Sequence, residues 1–409
     1  MSSRLTKFVI SGVAIVLAVV AVAHSKSPLR EQSLRETALA AGVRPLSEIQ
    51  VEVDPAKAAI GEKLFESTLL SFNADTSCQT CHLDRFASAD GLPNAIGTGG
   101  EGEGIERFDG GGDIVPRNTL AFWGRGSKGF DTFFWDGKVK LTPDGVVSQF
   151  GPAVPSNDPL AVAVHLPFVE IRELVVRDAT VTSGYQRENV DGAKRIYDEL
   201  VHRIRTDPVL APQLARAFGT KVEELKFLHA SEAIAAFIRQ KFAVRRTAFH
   251  EFLFDGGILS EPALRGGLIF YGKGRCSTCH SGPLLSDLSF HAMPFLQAGF
   301  GKNGFGVDYG RYNVTRDPSD LYAFRTPPLI NVTRTAPYTH SGAIADLPSM
   351  VRAHVDPLAS YNGAQRSEVQ RREDLARLLA WRGGREPPEP LSREEISDVM
   401  AFLKTLETP

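Results

Sequence analysis

A mainly α fold is predicted for this chain, and three observations predict it. Helical periodicity leads into two Cys-x-x-Cys-His runs, one at Cys78 to His82 and one at Cys276 to His280. Strand-like alternation is sparse. The connecting segments are long and rich in Gly and Pro, which gives helices joined by long loops.

The two runs come first because they fix the chemistry. Cys78 with Cys81, and Cys276 with Cys279, have the spacing for thioethers to haem vinyl groups. The adjacent His82 and His280 then fall on the iron as proximal ligands. A zinc ribbon sets its Cys pairs about 15–20 residues apart, and Cys81 and Cys276 are far more distant than that. A thioredoxin-like dithiol has no need of the trailing His twice. The runs use all four cysteines, so two covalently bound c-type haems are expected and no disulfide.

A chain of 409 residues is long enough for two domains with their own cores. Its formal net charge of −2 implies no polyanion, so no nucleic-acid partner is expected. Residues 1–23 read as a secretory signal peptide, a basic start and then an apolar run from Phe8 to Ala23 with an A-x-A end. An uncleaved anchor is the alternative. Export to the periplasm suits covalent haem, and no membrane span is expected after cleavage.

In chain order, 24–54 is an N-terminal arm with a weak rhythm at Leu34, Ala38 and Leu39. Ile60, Leu64 and Phe65 mark one face of the helix leading to the first haem run. The Gly-rich stretch 91–112 reads as a surface loop rather than a phosphate cradle, since no strand precedes it and no helix follows. From 193 to 252 the pattern is helical; Asp207-Pro208 breaks it, and Ser231 with Glu232 marks the next start. His202, His229 and His250 on these helices read as surface or core residues. A second haem helix precedes Cys276. The last helix starts at a Ser392–Glu395 capping box and aligns Ile396, Val399, Met400, Leu403 and Leu406.

Over roughly residues 55–409 the chain resembles the bacterial di-haem cytochrome c peroxidase family, which includes MauG. The resemblance rests on GEKLFESTLLSFNADTSCQTCH, Arg117-Asn118-Thr119, Phe134-Trp135-Asp136-Gly137, SGPLLSD after the second haem run, Phe290-His291, DYGRYNVT, FRTPPLINV and TAPYTHSG. It implies two cytochrome c-like haem domains, peroxidatic at 55–240 and relay at 241–390, with the C-terminal segment 391–409 packed back on the first. It implies Trp135 as inter-haem relay. It implies an acid/base Glu near a Gly-Pro, here Gly151-Pro152 and Glu170, with Glu173 as alternative and Gln149 as a distal polar residue. It also implies a calcium ion held by Asn118, Thr335 and Pro337.

Two departures from the family pattern set the expected subgroup. No histidine lies between Leu83 and Val164, so the usual distal His is missing and the His82 iron is expected to be open. The relay haem's sixth ligand, fourteen residues past the His of the APYTH motif, falls from His340 on His354. Met350 and Tyr361 are the alternatives, and His340 itself reads as a distal-pocket or interface residue rather than a ligand. His in place of Met removes the ligand that raises haem potential. Both departures point to a MauG-like enzyme that uses hydrogen peroxide to oxidise a substrate, plausibly a periplasmic partner protein, through a high-valent di-haem state. The alternatives are a peroxidase fed by a small cytochrome donor and a non-catalytic electron carrier.

Overall fold

The computed structural model describes residues 28–151, 153–175, 190–358, 361–382 and 388–408, so the expected leader at 1–23 lies outside the described residues. Among the described residues no helix is long and apolar enough to cross a membrane. Helix α1 spans 28–40 and α2 spans Pro55–Glu66. Then come α3 (Pro159–His165), α4 (Val190–Thr206), α5 (Leu210–Phe218) and α6 (Phe227–Lys241). The second half holds α7 (Ala248–Phe254), α8 (Glu261–Tyr271), α9 (Leu347–Val355), α10 (Glu368–Arg382) and α11 (Arg393–Lys404). Among the described residues the strands are short and antiparallel: Thr132–Phe133, Val139–Thr142 and Gly145–Ser148 form a three-stranded sheet, and the other two sheets are pairs.

Each Cys-x-x-Cys-His run follows a helix that crosses a partner at backbone contact. Asp54 caps α2 by accepting from the Ala56 and Lys57 amides, with Pro55 at its first position. Its buried face, Ile60, Leu64 and Phe65, packs on α6. A Cβ at Gly61 would lie 1.9 Å from the Ala233 carbonyl oxygen, so only glycine permits this crossing. The second bundle repeats the device: a Cβ at Gly266 in α8 would lie 1.9 Å from the Asp398 carbonyl oxygen in α11.

That pairing corrects the expected home of the C-terminal segment. Helix α11 packs along α8 of the second bundle, not back on the first. Its apolar stripe meets the aromatic cluster there, with Phe402 edge-on to Phe249 at 5.0 Å and tilted on Phe270 at 5.2 Å. Arg265 adds a fork onto Asp398 at 2.7 and 2.8 Å. The arm joins the same bundle: Leu34 and Ala38 are buried, and the Gly282 amide donates to the Ala41 carbonyl. Leu39 points away and is exposed.

Two local expectations also change. Helix α6 begins at Phe227, not near Ser231, because its apolar stripe extends back through Ala230 and Phe227. The His229 ring accepts the Lys226 amide at 3.1 Å as the cap, and Ser231 is buried mid-helix with its hydroxyl on the Phe227 carbonyl. The Gly-rich stretch is a surface loop only in its second half, where Glu101, Glu103, Ile105 and Phe108 are exposed, and its first half folds inward. Ala95, Ile96 and Thr98 are buried, and Arg107 threads inward to donate to the Ile96 and Gly97 carbonyls and to the Thr76 hydroxyl. Gly97 is required where the Arg172 carbonyl abuts it, at 1.8 Å from any Cβ. The break at Asp207 holds: its carboxylate accepts from the Val209 and Leu210 amides.

Candidate functional site

The first cavity, of about 1450 Å³, is lined by Cys78, Cys81 and His82. The His82 Nδ1 lies 2.7 Å from the Ser88 carbonyl oxygen. A carbonyl can only accept, so Nδ1 carries the proton and Nε2 keeps its lone pair for a metal. Phe122 stacks on the ring at 3.9 Å. Burial pushes the His82 imidazole down to about 3 and the Cys78 thiol up to about 12, so both are neutral. This donor set fits a covalently attached haem. Among the described residues His82 is the only histidine lining this cavity.

Glu170, Glu173 and Gln149 line the same cavity, whereas Pro152 lies outside the described residues. Glu170 forms a short ion pair with Lys138. Burial disfavours its charge, but Lys138 and Lys302 outweigh burial and hold the carboxyl at about 2. Glu173 is pushed up to about 7 by burial and then by the negative charge of Glu170. Two carboxyls in one cavity are thus driven apart in pKa, the arrangement that separates a fixed charge from a proton carrier. The sequence favours Glu170; of the two carboxyls it is Glu173 that burial and its neighbours bring toward neutrality. The signal is Lys138, whose partner is invisible until the chain folds.

The second cavity, of about 570 Å³, is lined by Cys276, Cys279, His280 and His354. The two ring centres are 6.4 Å apart. Two metal–imidazole bonds of about 2.0–2.1 Å, each continued by roughly 1.1 Å to the ring centre, span about that distance. His280 Nδ1 faces the Leu285 carbonyl at 3.0 Å and His354 Nδ1 the Met350 carbonyl at 2.8 Å, so both Nε2 lone pairs are available. Met350 lines the cavity through the turn that holds His354, and Tyr361 does not line it. These residues fit a haem between two imidazoles. His202, His229 and His250 line neither cavity. Trp123 and Trp381, which no motif singles out, line the second.

Trp135 lines both cavities. Its indole N–H donates to the Asn118 carbonyl at 2.9 Å. Three sequence motifs converge to hold its loop. Arg117 forks onto Asp308 at 2.7 and 2.9 Å and reaches Asp136 at 2.6 Å, all three buried. Arg325 donates to the Phe134 carbonyl at 3.0 Å, and its amide donates to that of Trp135. Sequence reading quotes these motifs without seeing that Arg117, Asp136 and Asp308 form one network.

The residues of the expected calcium set make hydrogen bonds of their own. The Asn118 amide donates to the Leu92 and Pro337 carbonyls at 3.1 and 3.0 Å. The Thr335 hydroxyl donates to the Val332 carbonyl at 3.1 Å. Of the three, only Asn118 and Pro337 bond one another.

The family description "Di-haem cytochrome c peroxidase" matches residues 55–257. The methylamine utilization protein MauG of Methylorubrum extorquens is 25% identical over 358 residues, covering 86% of this chain and 78% of that protein. The cytochrome c551 peroxidase of Pseudomonas aeruginosa is 25% identical over 338 residues, covering 83% and 79%. Among solved structures, the diheme peroxidase BthA from Burkholderia thailandensis superposes with a TM-score of 0.63 at 19% identity, covering 90% of this chain and 89% of that one. A MauG-like protein associated with microbial copper homeostasis gives 0.61 at 24% identity, covering 90% and 92%. These structures share the fold: mainly α, with two cytochrome c-like haem domains.

Proposed function

Because the chain belongs to the di-haem cytochrome c peroxidase family of oxidoreductases, we propose that it uses hydrogen peroxide at the His82 haem to oxidise a periplasmic partner protein, in the manner of MauG. One observation carries the reading. The first cavity offers a single histidine, whereas the second offers the His280–His354 pair at metal-bridging distance. A haem held by His82 would keep a face open to peroxide, and one held between His280 and His354 would be closed.

When bound, the haem supplies an iron position for peroxide and the redox equivalents that break its O–O bond. The Glu173 carboxylate takes the proton from the near oxygen of peroxide and returns it to the far oxygen, which leaves as water. A group held at about 7 is present in both forms at neutral pH. The Glu170–Lys138 pair keeps a fixed negative charge beside it. Gln149 at the cavity edge offers an amide to the incoming peroxide. Trp135, tied through its N–H to Asn118, couples the two cavities.

The second reading is peroxide reduction with electrons from a small cytochrome, favoured by the relatives named cytochrome c peroxidase. The experiment that separates readings mixes the fully oxidised holoenzyme with one equivalent of peroxide and follows haem absorbance. An immediate change without prior reduction is expected. A change that appears only after reduction by a cytochrome would replace this reading with the second, and no change in either state would leave an electron carrier.

A further inference from the structure

Two groups of aromatic rings, joined through the backbone between Tyr322 and Phe324, lie between Trp135 and the protein surface. The Trp135 ring centre is 6.5 Å from that of His340. His340 stacks on Phe324 with centres 3.6 Å apart and planes within 8°. Phe324 lies in the strand Ala323–Arg325, two residues after Tyr322. Tyr322 is 5.9 Å from Tyr309, and Tyr309 is 6.1 Å from Tyr312. Tyr322 is buried, whereas Tyr309 and Tyr312 are half-buried and open to solvent.

The chemistry of Tyr322 marks it as more than a packed ring. Its hydroxyl donates to Glu373 Oε2 at 2.8 Å. A phenol oxidised by one electron becomes a strong acid, so oxidation near neutral pH needs a proton acceptor in place. Glu373, half-buried on α10, is that acceptor and has access to water. Electron tunnelling falls off exponentially with distance, so a series of short steps, with the Phe324–Tyr322 step running along the two-residue backbone link rather than through ring contact, outpaces one long jump from the surface.

We propose that Tyr322, Tyr309 and Tyr312 carry oxidising equivalents singly from Trp135 to an oxidisable side chain of a partner protein docked at Tyr312, with Glu373 taking the Tyr322 proton. This rests on the peroxide chemistry of the preceding section. In each transfer Tyr322 gives one electron inward through Phe324 and His340, and its O–H bond breaks as the proton passes to Glu373. An electron from Tyr309 then reduces the phenoxyl and Glu373 returns the proton; Tyr309 and then Tyr312, both open to solvent, each release their phenolic proton to water on oxidation and regain one on reduction, and the deficit passes to the donor. Two such transfers, with two protons from solvent, balance the reduction of one hydrogen peroxide to two waters.

The test uses holoenzyme made with ring-deuterated or ordinary tyrosine, mixed with one equivalent of peroxide and freeze-quenched. Haem absorbance and the EPR of organic radicals are read on the same samples. The expected result is a radical signal that narrows on deuteration. Its yield falls at least tenfold in Tyr322→Phe and in Glu373→Gln, while the absorbance change persists. An absorbance change with no tyrosine radical, or with an undiminished yield in both variants, overturns the relay and leaves the peroxide reading standing. Absence of any absorbance change removes both.

Discussion

Glu170 and Glu173 line one cavity and are pushed in opposite directions, the first down to about 2 and the second up to about 7. Only Glu173 changes charge near neutrality. As a base it acts in its carboxylate form, so the rate of the peroxide reaction is predicted to rise as pH increases through about 7. Glu173→Gln should flatten that profile and slow the reaction by about 10²–10⁴-fold, read by stopped-flow absorbance. Glu170→Gln removes the charge that raises Glu173, so its profile should move to lower pH. The sequence names this segment but not which carboxyl titrates, because Lys138 and Lys302 reach it only in the fold. Arg117 makes a similar point. It holds Asp136 and Asp308 from two other motifs, and Arg117→Ala leaves two buried carboxylates unpaired. A loss of about 3–5 kcal/mol is expected in denaturant unfolding of the holoprotein.

Among the elements, the two crossings α2–α6 and α8–α11 decide where each haem helix sits. Gly61 and Gly266 allow backbone contact there, and an added methyl must push the helices apart. Gly61→Ala and Gly266→Ala should each cost about 1–3 kcal/mol, the usual range for overpacking, seen as a lowered midpoint of thermal unfolding. The helices themselves are legible: the Ile60, Leu64, Phe65 face and the Ser392–Glu395 box appear where periodicity and capping put them. The docking of α11 is not legible, since its apolar stripe would suit either bundle and the Gly266 contact and the Arg265–Asp398 fork that select one appear only in the fold. The folded Gly-rich stretch is illegible for the same reason. Glycines there serve close backbone approach, as at Gly97 against Arg172, and composition alone reads as a loop.

Across the whole molecule, two bundles of like construction carry two unlike cavities, with Trp135 between them. Among the described residues one is lined by a single imidazole and a titrating carboxyl; the other is lined by four, of which His280 and His354 lie 6.4 Å apart across it. His354→Ala is therefore predicted to turn the second haem from low spin to high spin while leaving the first unchanged, as read by EPR. The asymmetry is the central claim, and low-temperature EPR of the oxidised holoenzyme before and after one equivalent of hydrogen peroxide tests it most directly. One high-spin ferric signal beside one low-spin bis-imidazole signal, both lost on adding peroxide, is the predicted result. Two low-spin signals that peroxide leaves unchanged would contradict it, for the His82 iron would then carry a second protein ligand and be closed.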